Sequence, residues 1–311
     1  MRDLFAEDRE RLKELGPDAM DKAVRNQRRQ ARRFRERFAN NAALMVLSIA
    51  AGITVMALAI IILYVLINGA PAIASHFPSF IFTWPHGVNA AGGIWPTIVS
   101  TIYVTALAML IATPIAVLAA VYLAEYAKQG RIVTIIRFAA DSLASVPSIV
   151  MGLFGLAFFI EAFHIPMSML SAALALSLLM LPIIMRATEE AIRAVPRYIR
   201  WGSYGMGATK WQTVRRVVLP WAMPRIITGL VLAMGRAIGE TAVVFYTMGM
   251  AINMPVTPLD SGRSMAVHLY MLAVDGINLK SAYGTALILM VVILLLNTLA
   301  HAIQRRYRKV R

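Results

Sequence analysis

The sequence predicts an all-α, polytopic membrane protein with six transmembrane helices. Three observations carry that reading. Of the 311 residues, 59% are hydrophobic and 15% charged, with a mean hydropathy of +0.66, whereas a water-soluble domain needs more charge to cover its surface. Several apolar runs exceed the 18 or so residues needed to cross a bilayer as a helix. Finally, of the 31 Lys and Arg residues, 28 fall in four segments that lie on one side of such a six-span chain, and two on the other.

The elements follow in order. Residues 1–41 form a basic arm with 12 Lys and Arg, including Arg28-Arg29-Gln30-Ala31-Arg32-Arg33. Acidic residues mix with basic ones before Asp21, so part of the arm is expected to be helical. The arm is too long for the n-region of a signal peptide, and the apolar run 42–67 is long enough to span. It therefore reads as an uncleaved first transmembrane helix. Further spans are expected near 95–124, 143–163, 169–185, 221–249 and 282–303. Pro71, Pro78, Pro85 and Gly92-Gly93 precede the second span, and His164-Ile165-Pro166 turns the chain between the third and fourth. Pro114 and Pro182 lie inside spans, where neighbouring helices re-satisfy the freed carbonyls. Segments 125–140 and 186–225 carry 3 and 8 basic residues, and the tail 305–311 carries 5. The positive-inside rule then puts both termini in the cytoplasm.

Composition also excludes classes. Cysteine is absent, and the five His residues are scattered without metal-ligand spacing. The net charge of +15 sits beside the spans, where it sets topology and meets anionic membrane lipid, so nucleic acid is not an expected partner. No Walker-type glycine loop, Ser/His/Asp set or metal motif is present. No catalytic residue, metal or cofactor is expected in this chain, and it cannot hydrolyse ATP alone.

The most informative stretch is the cytoplasmic loop 187–220. Long ordered connections in compact bundles usually serve a purpose. Gly202, Gly205 and Gly207 allow a sharp turn between two short helices. Arg197, Arg200, Lys210, Arg215 and Arg216 then face headgroups or a partner protein, and the residues alone leave both readings open.

This segment resembles the coupling loop of permeases of ATP-binding-cassette (ABC) importers, which reads Glu-Ala-Ala, a Gly four residues later, then Ile-x-Leu-Pro. Gly207 takes the Gly position and Val217-Val218-Leu219-Pro220 the end, while Trp201-Gly202-Ser203 stands where Glu-Ala-Ala would be. The resemblance extends over residues 92–304. Gly92-Gly93-Ile94-Trp95-Pro96-Thr97, Val146-Pro147-Ser148-Ile149-Val150, Pro182-Ile183-Ile184-Met185-Arg186 and Arg236-Ala237-Ile238-Gly239-Glu240-Thr241-Ala242 are similar to the phosphate-importer permeases of bacterial-type cell (inner) membranes, and Met265-Ala266-Val267-His268-Leu269-Tyr270 with Ala282-Tyr283-Gly284-Thr285-Ala286 favours the A-type of the two related permeases. Val243 departs from the Pro common after Gly-Glu-Thr-Ala, and the arm carries no resemblance. The resemblance implies the type I ABC importer permease fold. It also implies a related second permease, two ATPase subunits that hold ATP and Mg, and an extracytoplasmic phosphate-binding protein. Trp201, Gly202, Ser203, Gly207, Leu219 and Pro220 become the candidate ATPase-coupling residues, with Trp201 an apolar anchor in place of the missing Glu.

Arg236 and Glu240 are candidate residues of the substrate path. An Arg some fourteen residues into the fifth span lies near the middle of a roughly 30 Å core and belongs on an interior or water-lined face. Glu240 is four residues on, within pairing reach on a continuous helix. Guanidinium matches phosphate bidentately, and a competing Glu eases release. The alternative for this pair is an ion pair that only fixes packing. Arg186, at the cytoplasmic end of the fourth span, is a candidate second station or an ordinary positive-inside anchor. Rival functions are a sulfate or molybdate permease, an intramembrane enzyme acting on lipid phosphate, and a scaffolding subunit. The docking-type loop favours the importer.

Overall fold

The computed structural model describes residues 17–86, 91–274, 276 and 278–309. Residues 1–16 of the arm and 310–311 of the tail lie outside them. The chain divides into two compact units, Met1–Tyr64 and Val65–Arg311. The described part of the first unit is helical throughout. It belongs to α1 (Pro17–Ala74), which joins the arm and the first apolar run in one 58-residue helix.

In the second unit, the end of α1 is followed by a single helical turn, α2 (Ser79–Phe82), and a two-residue antiparallel pair, β1 (Pro85–His86) with β2 (Ala91–Gly92). Then come α3 (Trp95–Val121), which closes in a π-helical turn, Tyr122–Tyr126, and α4 (Arg131–Ser145). Next are α5 (Ser148–Gly155), extended by a π-helical stretch Leu156–Ala162, and α6 (Met169–Arg193). After them α7 (Arg197–Gly205) and α8 (Lys210–Thr213) form the loop. The rest is α9 (Leu219–Ile238), α10 (Ala242–Met248), α11 (Met265–Val274) and α12 (Leu279–Lys309).

Among the described residues, five helical stretches are long and apolar enough to cross a membrane, and a sixth span arises if the bent pair around Ser145 counts as one. The expected third span, 143–163, is thus not one straight helix. Pro147 has no N–H and forces Val146 into extended backbone (ψ 130°), so Arg131–Ser145 and Ser148–Ala162 meet at 100°.

The centre of the bundle is the α3–α6 contact. Val104, Ala108, Ala112, Ala116 and Ala120 recur every four residues along one face of α3 and are all buried. They pack with Ala172, Ala173, Ala175, Leu176 and Met180 of α6 in one core. Small residues let helix backbones approach closely, which is how membrane helices gain packing energy without a hydrophobic drive between them. The same device joins α6 to α9: a Cβ on Gly229 would lie 2.4 Å from the Cβ of Ala187.

Candidate functional site

The expected coupling loop is an ordered two-helix unit, and much of it is helix. Segment 187–193 is still α6. At the other end, Leu219 and Pro220 lie inside a helical stretch that runs from Lys210 to Ile238 through a π-helical turn, Val214–Val218. Pro at the start of α9 costs little there, because the wider π turn does not need its N–H. Between α7 and α8 the chain reverses at Gly207, whose φ of 81° suits glycine. Thr209 and Gln212 then close a capping box on α8. Ser203 is buried and shares a hydrogen bond with Thr213 Oγ1 at 2.9 Å, so it fastens α7 to α8 from inside. Gly202 has open space around it. Trp201 is 66% exposed and Met206 85%, with Tyr198 and Trp211 also outward. An apolar, aromatic surface thus crowns a loop whose inner face rests on Val121, Ile192, Val195, Val214 and Val218.

Two contacts fasten this loop to α3. Arg200 reaches Glu125 in the terminal π turn, donating from Nη2 at 2.8 Å and Nε at 3.1 Å. It also donates to the carbonyl oxygen of Ile192 at 2.8 Å and to that of Val195. Lys210 Nζ lies 4.8 Å above the centre of the Tyr126 ring.

Arg186 belongs to a neighbouring ion network. Its guanidinium donates to both carboxylate oxygens of Asp141, from Nε at 2.7 Å and from Nη2, and to the carbonyl of Arg137. Buried Glu189 accepts Arg137 Nε at 2.9 Å and pairs with Arg193 at 2.8 Å, with Arg186 Nη1 3.9 Å away. These contacts hold the amphipathic α4 against α6. They engage Nε and Nη2 of Arg186 and leave Nη1 3.9 Å from Glu189.

Arg236 is placed differently. The fifth span breaks: α9 stops at Ile238, residues 239–241 leave the helix, and α10 restarts at Ala242. The depth of the break follows from its neighbours. Gly229 faces Ala187 of α6, and Thr247 O accepts from the N–H of Ser168, just before α6 begins. Seven residues beyond Gly229 is about 10 Å along the helix, so Arg236 sits roughly halfway along α6. Glu240, beyond the helix end, is no longer one turn above Arg236. Among the described residues neither side chain makes an ion pair or a hydrogen bond, so the expected Arg236–Glu240 pair is not formed. Arg236 is exposed and Glu240 buried. Arg236 lines a groove of about 750 Å³ between α6, α9 and α12, with Ile183, Thr228, Asn297 and His301. Non-helical backbone at membrane depth is tolerated where protein buries it, and Glu240 in this break is buried.

These features sit in a multi-pass helical bundle with an ordered two-helix loop at one end. The chain belongs to the family described as "Binding-protein-dependent transport system inner membrane component", whose model matches residues 112–309. It is 32% identical over 253 residues to the "Probable ABC transporter permease protein YqgI" of Bacillus subtilis, covering 76% of this chain and 85% of that one. It is 35% identical over 230 residues to the "Phosphate transport system permease protein PstA 1" of Mycobacterium tuberculosis, covering 71% and 75%. Among solved structures, an inward-facing MetNI methionine ABC transporter shares the fold with a TM-score of 0.56 and 20% identity. That alignment covers 69% of this chain and 94% of the other. The protein is thus a multi-pass membrane component of a bacterial type of ABC transporter, with the type I importer permease fold.

Two features are absent from the sequence reading above: the break at 239–241 and the α3 alanine stripe. The stripe has a legible signal in the four-residue spacing of Ala108, Ala112, Ala116 and Ala120. The break has a weaker one in Gly235 and Gly239 flanking a charged residue.

Proposed function

We propose that this chain is the A-type permease subunit of an ATP-driven importer of inorganic phosphate. In that assembly it pairs with a second related permease. Two ATPase subunits, which carry the ATP and Mg, dock on the Trp201 surface, and an extracytoplasmic binding protein delivers the anion. Both termini face the cytoplasm of the inner membrane. The observation that carries the reading is Arg236, an unpaired guanidinium at a mid-bundle helix break, open to a groove. A charged side chain at that depth costs at least ~2.5 kcal/mol, and among the described residues no carboxylate offsets it. A tetrahedral oxyanion does so bidentately during passage. Buried Glu240, nearby but not bonded, keeps the site from holding a dianion too tightly. Arg186, tied to Asp141, serves as a fastener rather than a second station. The phosphate-permease relative at 35% identity supports phosphate over sulfate or molybdate.

The test is radiolabelled phosphate uptake into proteoliposomes holding the whole complex. Arg236→Gln should abolish uptake while the ATPase subunits still copurify. Arg236→Lys should keep part of it, having charge without the fork. Near-normal uptake with Arg236→Gln would leave Arg236 a packing residue and overturn the reading.

A further inference from the structure

A second arginine lacks a carboxylate partner, at the end of the bundle opposite the docking loop. Arg263 lies in the segment between α10 and α11, partly buried. Its Nη2 donates to Met250 O at 2.9 Å, and its Nη1 faces His268 Nδ1 at 3.5 Å. Its Nε is buried and has no hydrogen-bond partner. The nearest acid in sequence, Asp260, is fully engaged elsewhere: it accepts from Val256 N, Thr257 N and Thr257 Oγ1. No Asp or Glu among the described residues pairs with Arg263.

Ser100 on α3 is fully buried and its Oγ also has no partner. That Oγ lies against Gly262, the residue before Arg263, only 3.1 Å from where a Cβ would stand. The segment is pinned in place, since Met265 N donates to Thr101 Oγ1 at 2.8 Å and Ser261 Oγ to Met248 O at 3.0 Å. His268 is 1% exposed. Its Nδ1 faces an obligate donor in Arg263, so its proton belongs on Nε2. A guanidinium N–H and a hydroxyl, both buried and unpartnered, sit on one pinned corner of the bundle. Unsatisfied buried donors are costly, so such groups call for a ligand that accepts.

We propose that Arg263, with Ser100 and His268, forms an oxyanion site near the outer mouth of the bundle, where a phosphate group docks before it reaches Arg236. The inference rests on the importer reading for its ligand, but its test does not depend on transport. The ligand chemistry is a phosphate group, either the free ion or a lipid headgroup.

The chain has no Cys, so Ser261→Cys gives this chain one thiol beside the site, and the full complex without that substitution supplies the labelling background. Its labelling by a negatively charged methanethiosulfonate is followed in detergent and in nanodiscs of phosphatidylglycerol, with and without inorganic phosphate. With Arg263 present, phosphate should slow labelling by roughly tenfold, about the worth of one charge-assisted hydrogen bond. Slowing by added phosphate in detergent identifies the free ion, and slowing in nanodiscs alone identifies the headgroup. Arg263→Gln should erase either effect, and Arg263→Lys, which keeps the charge if Gln misfolds, should retain part. Equal protection in Arg263→Gln overturns the proposal. So does protection by the binding protein alone, which would make Arg263 a protein-docking cation. Loss of uptake in Arg236→Gln can stand whether or not this protection is seen.

Discussion

Replacing Glu125 by Gln should loosen the docking loop from the bundle without unfolding either. Glu125 and Arg200 are largely buried, with 8% and 16% of their side chains exposed. Removing one partner of a buried ion pair costs roughly 3–5 kcal/mol, because it strands the other charge. Here Arg200 keeps two carbonyl acceptors, on Ile192 and Val195, so the guanidinium is not fully orphaned. The cation–π contact of Lys210 with Tyr126 also remains. A local cost of about 2 kcal/mol follows, which multiplies the population of the detached loop by roughly 30-fold. Hydrogen exchange of the amides in α7 and α8 should accelerate by that factor, while amides of the α3–α6 contact stay unchanged. Because this pair joins the docking surface to the end of α3, phosphate moved per ATP hydrolysed should fall in the same variant. Exchange in α7 and α8 that matches the parent protein would refute the reasoning, whatever uptake does.

Two further outcomes are expected. Trp201→Ala should weaken ATPase docking by about 2 kcal/mol, roughly 30-fold, as for a buried interface anchor, read by the ATPase concentration needed to reconstitute the complex. The second concerns His268, in a helix too short to span. Burial, and then the nearby Arg263 charge, hold its imidazole down to about 4 from 6.5. The unfolded chain therefore binds a proton that the native state refuses, so this contribution is complete above pH 6.5 and is lost as pH falls from 6.5 toward 4. His268→Gln should flatten the thermal stability of the complex over that window; an unchanged pH slope would remove the titration argument.

Most of the architecture was legible because a bilayer imposes long apolar runs and separates charge across them. Span positions for α3, α6 and α12 follow from that rule alone. The failures share one cause: apolar composition does not say whether a helix is straight. Pro147 bends the third span, and 239–241 interrupts the fifth, yet both segments remain as hydrophobic as an unbroken helix. The i, i+4 spacing of Arg236 and Glu240 suggested a pair only on the premise of a continuous helix. The contacts of Arg186 were not legible for a related reason. Its partner Asp141 is 45 residues away, and no local pattern brings α4 and α6 together.

How charges are satisfied divides the interior arginines into two groups. Toward the loop end, Arg137, Arg186 and Arg200 each hold a carboxylate across two elements, and buried Glu189 is shared by Arg137, Arg186 and Arg193. Those contacts resist sliding between helices and suit a region that must pass force from a docked partner. Among the described residues Arg236 and Arg263 pair with no carboxylate; Arg236 stands in the last turn of α9, just before the break at 239–241, and Arg263 in the non-helical segment between Met248 and Met265. Irregular backbone at depth brings carbonyls and N–H groups toward a cavity instead of spending them along a helix axis. Joined to an unpaired guanidinium, such a place carries a fixed positive potential that needs no rearrangement to meet an anion. It repels cations equally. On the reading proposed above, the same distribution that braces one end of the bundle leaves a route through the rest of it selective by sign of charge, before any contact with a particular anion refines the choice.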